Sequence, residues 1–84
     1  MSEIEIGSVT HYYGNINVAI VKLTDVLKVG DNIHIKGHTS DFTQQVDSIQ
    51  IEHKSIPQAK GGEIVGIRVL QKAHPHDRLF RITV

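Results

Sequence analysis

Glycine and proline cut this chain into pieces of strand length, and β-branched residues fill the pieces. Gly7, Gly14, Gly30, Gly37, the Gly61-Gly62 pair and Pro75 set the intervals, with Pro57 and Gly66 as further marks. Such residues punctuate turns. Between them lie 12 Ile, 9 Val and 5 Thr, against only 7 Leu and Ala together, in 84 residues. Side chains stiff at χ1 suit a pleated surface better than a helix. No stretch of ten residues shows a 3.6-residue apolar period. The sequence therefore predicts an all-β protein, and its length leaves room for one domain, residues 1–84.

Six strands are expected. The first covers Glu3–Tyr12, with Ile4 and Ile6 on one face and a bulge at Gly7 absorbing the phase slip to Val9. The second covers Asn17–Leu23 and is apolar on both faces. Thr24–Asp31 is a connection whose Val26, Leu27 and Val29 tuck under the fold. Asn32–Lys36 alternates, Ile33 and Ile35 inward, His34 and Lys36 outward. Residues 39–42 read as a loop. A long, bent strand spans Gln44–Ile56 and ends at Pro57. After the Lys60–Glu63 turn come Ile64–Leu70 and, past Gln71–Asp77, Arg78–Val84. Six short strands with bends suit a small closed antiparallel barrel, which leaves no exposed sheet edge.

Composition excludes several functions. Nine Lys+Arg balance nine Asp+Glu, so the basic excess of a duplex-wrapping protein is missing. There is no cysteine, hence no disulfide, thiolate nucleophile or cysteine zinc site. The longest apolar run, residues 18–21, is far below the roughly 20 residues of a membrane helix. The acidic start, Ser2-Glu3-Ile4-Glu5, is unlike a secretion signal, and a cytoplasmic protein is expected.

Four segments carry a family resemblance. They are Gly7-Ser8-Val9; Leu27-Lys28-Val29-Gly30-Asp31-Asn32-Ile33; Val46-Asp47-Ser48-Ile49; and Ala59-Lys60-Gly61-Gly62-Glu63-Ile64-Val65-Gly66. In this order they resemble domain 2 of the elongation factor Tu family, a translation-protein β-barrel, here as a stand-alone small protein. Similar barrels form the C-terminal domain of collagenase-like peptidase proteins. The resemblance implies tight turns at Gly30 and Gly62 and close strand packing at Gly66. No Gly-x-x-x-x-Gly-Lys-Ser/Thr phosphate loop is present, so no nucleotide is hydrolysed or bound. The family's aminoacyl pocket falls on Gln50, His53 and Ile64, all altered, so binding of the aminoacyl-tRNA end is not expected.

What remains is a non-catalytic binding module without a cofactor. One reading is contact with ribosome or RNA through Lys54, Arg68, Lys72, Arg78 and Arg81, with Tyr12 and Tyr13 as stacking groups. The bland alternative is that these cations simply point outward from half-buried strands. The second functional reading is a protein-interaction or oligomerisation module, docking through a face around Phe42, Tyr12 and Tyr13. His74, His76 and Asp77 put metal-type donors within four residues, yet read as a surface turn; no metal site is expected. His34 and His53 read as solvated, and the six histidines together predict stronger polyanion binding on acidification. Ser8, Ser40, Ser48 and Ser55 lack nucleophile spacing, as do Asp41 and Asp47 for paired-carboxylate work, so no catalytic residue is expected.

Overall fold

A computed structural model describes residues 2–83. Ten strands and no helix occur among them: β1 (Ser2–Tyr13), β2 (Val18–Leu23), β3 (Leu27–Lys28), β4 (Asn32–Lys36), β5 (Asp41–Gln45), β6 (Ile49–Ile51), β7 (Lys54–Ile56), β8 (Gln58–Ala59), β9 (Ile64–Arg68) and β10 (Arg78–Thr83). No helix long and apolar enough to cross a membrane is found there. Eight strands form one antiparallel sheet in the order β5-β4-β10-β1-β2-β9-β6-β7, and β3 pairs with β8 as a small second sheet.

The all-β expectation holds, but the closed six-stranded barrel does not form: the sheet is open, ending at β5 and β7. The two edge strands do not pair with each other. Just after β5, Val46 extends the β4–β5 register: its N–H donates to the Asp31 carbonyl and its carbonyl accepts from the Gly30 N–H, both 2.8 Å. Gln44 is buried; its Nε2 donates to the Arg68 carbonyl (2.9 Å) and its Oε1 accepts from the Leu70 N–H (2.8 Å). A side chain, rather than a strand ladder, joins β5 to the end of β9. The exposed edges are short and carry Asp41 and Lys54, charges that discourage edge-to-edge pairing.

β1 is the long central strand, paired with β10 on one side and β2 on the other. Its register shifts between Glu5 and Gly7 against β10, as expected from the apolar phase, and again between Val9 and His11 against β2. A Cβ at Gly7 would lie 2.6 Å from the Lys22 carbonyl oxygen. Gly30 (φ 98°) and Gly62 (φ 92°) occupy left-handed turns, as expected.

One core unites Ile6, Leu23, Ile33, Ile35, Ile67 and Leu79 with their neighbours. Several local expectations need correction. β2 is buried on one face only, through Ala19, Val21 and Leu23; Val18 and Ile20 are half-buried. Residues 41 and 42, read as loop, begin β5, and Phe42 lies in the core. It cannot belong to a docking face. The Gln44–Ile56 strand is broken into pieces of β5, β6 and β7, because a two-residue turn at Glu52-His53 reverses the chain. Leu27 is buried and Val26 half-buried as expected, whereas Val29 is exposed.

Candidate functional site

Three of the six exposed large apolar side chains of the described residues, Tyr13, Ile16 and Ile64, gather at one cleft. The cleft has a volume of about 410 Å³; Val18 and Ile20 add to its apolar wall, and Gln50, Glu52 and His53 form a polar rim. Alternation places it there. β2 and β9 send Ala19, Val21, Val65 and Ile67 into the core, so Val18, Ile20 and Ile64 fall on the other face. Gly66, paired with both Ile20 and Gln50, leaves the floor open. A Cβ there would come 3.3 Å from Val18 Cγ1 and 3.5 Å from Ile20 Cδ1. This agrees with the close packing expected at Gly66.

Gln50 and His53, from one hairpin, are joined here by Ile64 of β9. With Ile64 exposed and apolar, the cleft offers a hydrophobic contact surface and little directional hydrogen bonding. Three exposed apolar side chains converging on one cleft make it the candidate contact surface of the described residues. Tyr13 packs on His11 with ring centroids 4.4 Å apart, while Tyr12 is half-buried against the core.

The rim rests on an unusual turn. Glu52 (φ 50°) and His53 (φ 67°) both adopt left-handed backbone between the paired residues Ile51 and Lys54. Two positive φ values in a two-residue hairpin define a type I′ turn, which Asn-Gly favours. Replacing Glu52-His53 with Asn-Gly should therefore raise stability by about 1 kcal/mol in urea melts, because non-glycine residues resist this conformation. A stability loss would contradict this reading of the turn.

The five expected RNA-contacting cations do not form one cluster. Lys54 lies on β7, Arg68 on β9, Lys72 in the following segment, and Arg78 and Arg81 on β10, with β1 and β2 between β10 and β9. Arg81 is drawn inward: its guanidinium donates to the Val26 carbonyl (2.5 Å) and lies 3.6 Å from Asp25. Arg78 lies 3.4 Å from Glu5.

The outward phase of His34 predicts a solvated strand residue, but its side chain is only 15% exposed. Nδ1 lies 2.9 Å from Glu3 Oε2 and Nε2 2.5 Å from Asp41 Oδ1. The imidazolium can donate to both carboxylates at once. The hydrogen bond with Asp41, then that with Glu3, holds the His34 pKa above its ordinary value of 6.5. A raised folded-state value makes this stabilisation complete below 6.5 and removes it as pH rises through the folded value. The stability gap between the native chain and His34→Gln should thus be larger at pH 5.5 than at pH 9 in urea melts. A gap that stayed constant or widened with pH would contradict the clasp.

Ser40, His74 and Asp77 come together, a grouping the sequence spacing concealed. Ser40 Oγ lies 3.0 Å from His74 Nδ1, and Asp77 Oδ2 lies 3.9 Å from the same nitrogen. A catalytic triad needs serine and carboxylate on opposite ring nitrogens; here both face one. Asp77 is buried and accepts from the His74 backbone N–H at 2.8 Å. The grouping is a loop clasp. No group of three or more metal-type ligands occurs among the described residues.

Fold and cleft define an all-β domain with an open eight-stranded sheet, a small two-stranded one and an exposed apolar cleft. Comparison with known proteins places it more closely. An uncharacterized protease of Methanocaldococcus jannaschii is 39% identical over 79 residues, 93% of this chain but 19% of that protein. A collagenase of Porphyromonas gingivalis is 31% identical over 81 residues, 94% of this chain and 20% of that protein. The chain thus spans about a fifth of the length of the curated relatives it matches. Two crystal structures of the C-terminal domain of a putative U32 peptidase from Geobacillus thermoleovorans share the fold. One has a TM-score of 0.86 at 23% identity, covering 90% of this chain and 96% of that one; the other has 0.88 at 22%, covering 94% and 92%. No family model matches the chain. The chain is similar to the C-terminal domain of U32 peptidase and collagenase-like proteins.

Proposed function

We propose that this chain is a non-catalytic accessory domain of the kind joined to U32-type peptidases, and that its apolar cleft docks onto the body of such a peptidase. One observation carries the proposal: nearly the entire domain corresponds to a minor part of a protease some five times its length. A domain of that proportion has a much larger polypeptide beside it, and Tyr13, Ile16 and Ile64 present apolar surface suited to covering by protein. The non-catalytic reading is supported by the Ser40–His74–Asp77 geometry: serine and carboxylate face the same imidazole nitrogen, so Asp77 does not hold the ring from the far side as a base for Ser40.

Kinship with domain 2 of the elongation factor Tu family belongs to the same proposal, as a relation of fold; the left-handed turns at Gly30 and Gly62 are consistent with it. Of the two binding roles expected from the sequence, protein docking draws support from the relatives and the cleft. Ribosome or RNA contact through dispersed cations draws none.

The test is calorimetric. The M. jannaschii protease, with its matching 79 residues removed, is titrated with this chain and, separately, with its own excised segment. Saturable one-to-one binding of both is expected. Binding of the excised segment without binding of this chain, or binding of neither, would overturn the proposal.

A further inference from the structure

A second cleft, of about 500 Å³, lies away from the apolar one and is lined by Lys36, Gly37, His38, His76, Arg78 and Phe80. Its chemistry is cationic. Lys36 on β4 and Arg78 on β10 are directly opposite each other in the ladder, an arrangement that costs stability when the charges are alike. Folding gains nothing from it.

Nearby carboxylates compensate weakly. Glu5 on β1 lies 3.4 Å from Arg78, but both side chains are largely exposed, and such a pair contributes little. Asp41 on β5 is opposite Lys36, yet its carboxylate is engaged by His34. Asp77, in the turn before β10, is buried and bound to the His74 N–H, and His74 itself meets Ser40. No carboxylate lines the cleft.

The backbone that carries the cationic groups is firmly seated. A Cβ on Gly37 would overlap the Asp77 carboxyl group, so the β4–β5 turn is seated on the segment before β10. The Gly37 N–H donates to the Ser40 carbonyl (2.7 Å) and the His76 N–H to the Val9 carbonyl (2.8 Å). His76 adopts φ 76°, a conformation that surrounding structure must enforce in a residue with a side chain.

We propose that this cleft binds a dianionic phosphate group. Arg78 supplies a planar fork and Lys36 a point charge, the two modes by which phosphate oxygens are held. Phe80 offers an apolar flank to whatever the phosphate is attached to. The site is independent of the docking cleft.

The test is an NMR titration of the ¹⁵N-labelled chain with sodium sulfate, inorganic phosphate and adenosine 5′-monophosphate. Saturable shifts are expected at the amides of Gly37, His38, His76 and Arg78 with sulfate and phosphate alike. Arg78→Gln and Lys36→Gln should each weaken binding about tenfold, the scale of a lost charge-assisted contact, whereas Lys54→Gln should leave it unchanged. Tighter binding of the nucleotide would identify a phosphate ester held against Phe80; equal binding would identify the phosphate group alone. Shifts that rise linearly without saturating, scatter over the surface, or survive Arg78→Gln would overturn the proposal. Folding of each variant is read from the same spectra, in amides remote from the cleft.

Discussion

Gly37→Ala is expected to cost about 3 kcal/mol of stability, the sum of overpacking and an uprooted buried polar group. Backbone conformation is not the reason, since Gly37 is not among the residues with positive φ. The new Cβ would overlap Asp77 Oδ1 and lie 2.5 Å from its Cγ and 3.3 Å from its Cα. Asp77 cannot yield cheaply. It is 3% exposed, its Oδ2 accepts from the His74 N–H, and its carbonyl accepts from the Val9 N–H at 2.7 Å. Gly14→Ala is the control: its Cβ would meet only Tyr12 Cε2, at 3.6 Å, and the change should stay within about 0.5 kcal/mol. Urea melts of Gly37→Ala, Asp77→Ala and the double variant complete the experiment. The double variant should lose clearly less than the sum of the singles, because removing the carboxyl removes the clash. Simple additivity would refute the contact.

Ile64→Asp is expected to abolish docking while leaving the fold intact. Ile64 is 56% exposed on the wall of the apolar cleft, so a polar residue there should change stability by no more than about 0.5 kcal/mol. In a complex the same carboxylate would be desolvated, with only the cross-strand Lys22 on β2 to offset it. Loss of a central apolar contact typically costs about 2 kcal/mol or more, a weakening of at least about thirtyfold, and desolvation of the charge adds to it. Calorimetry against the truncated protease reads the effect directly. Retained affinity in a folded Ile64→Asp variant would mean that docking uses another face.

The all-β fold was legible because it depends on side-chain types summed over the chain. The bulge at Gly7 was legible too, because a phase slip in the apolar pattern is a local signal. Closure was not. It depends on which strands meet at the two ends of the sheet, and the contacts there, such as Gln44 with Arg68 and Leu70, join residues 24–26 positions apart. The β6–β7 hairpin was concealed because its turn is Glu52-His53, not a glycine or asparagine pair.

The sites divide in the same way. Gln50, His53 and Ile64 were singled out through a family pattern and do share one cleft, though Tyr13, Ile16 and Gly66 complete it only after β1, β2 and β9 pair. His34 reads as a solvated position because alternation reports only the face. Its partners Glu3 and Asp41 come from other strands of the same sheet. Phe42 misled for the opposite reason: turn-forming neighbours in residues 39–41 masked the start of β5.

The central claim, that this domain works by docking its apolar cleft on a peptidase body, is tested most directly by mapping the contact surface. The deuterated, ¹⁵N-labelled chain is saturated with the truncated M. jannaschii protease and followed by cross-saturation NMR. The account predicts intensity loss concentrated at Tyr13, Ile16, Ile64 and Gly66 and absent from Lys36, Gly37 and Arg78. Loss centred on the β4–β10 face instead, with the cleft amides untouched, would contradict it.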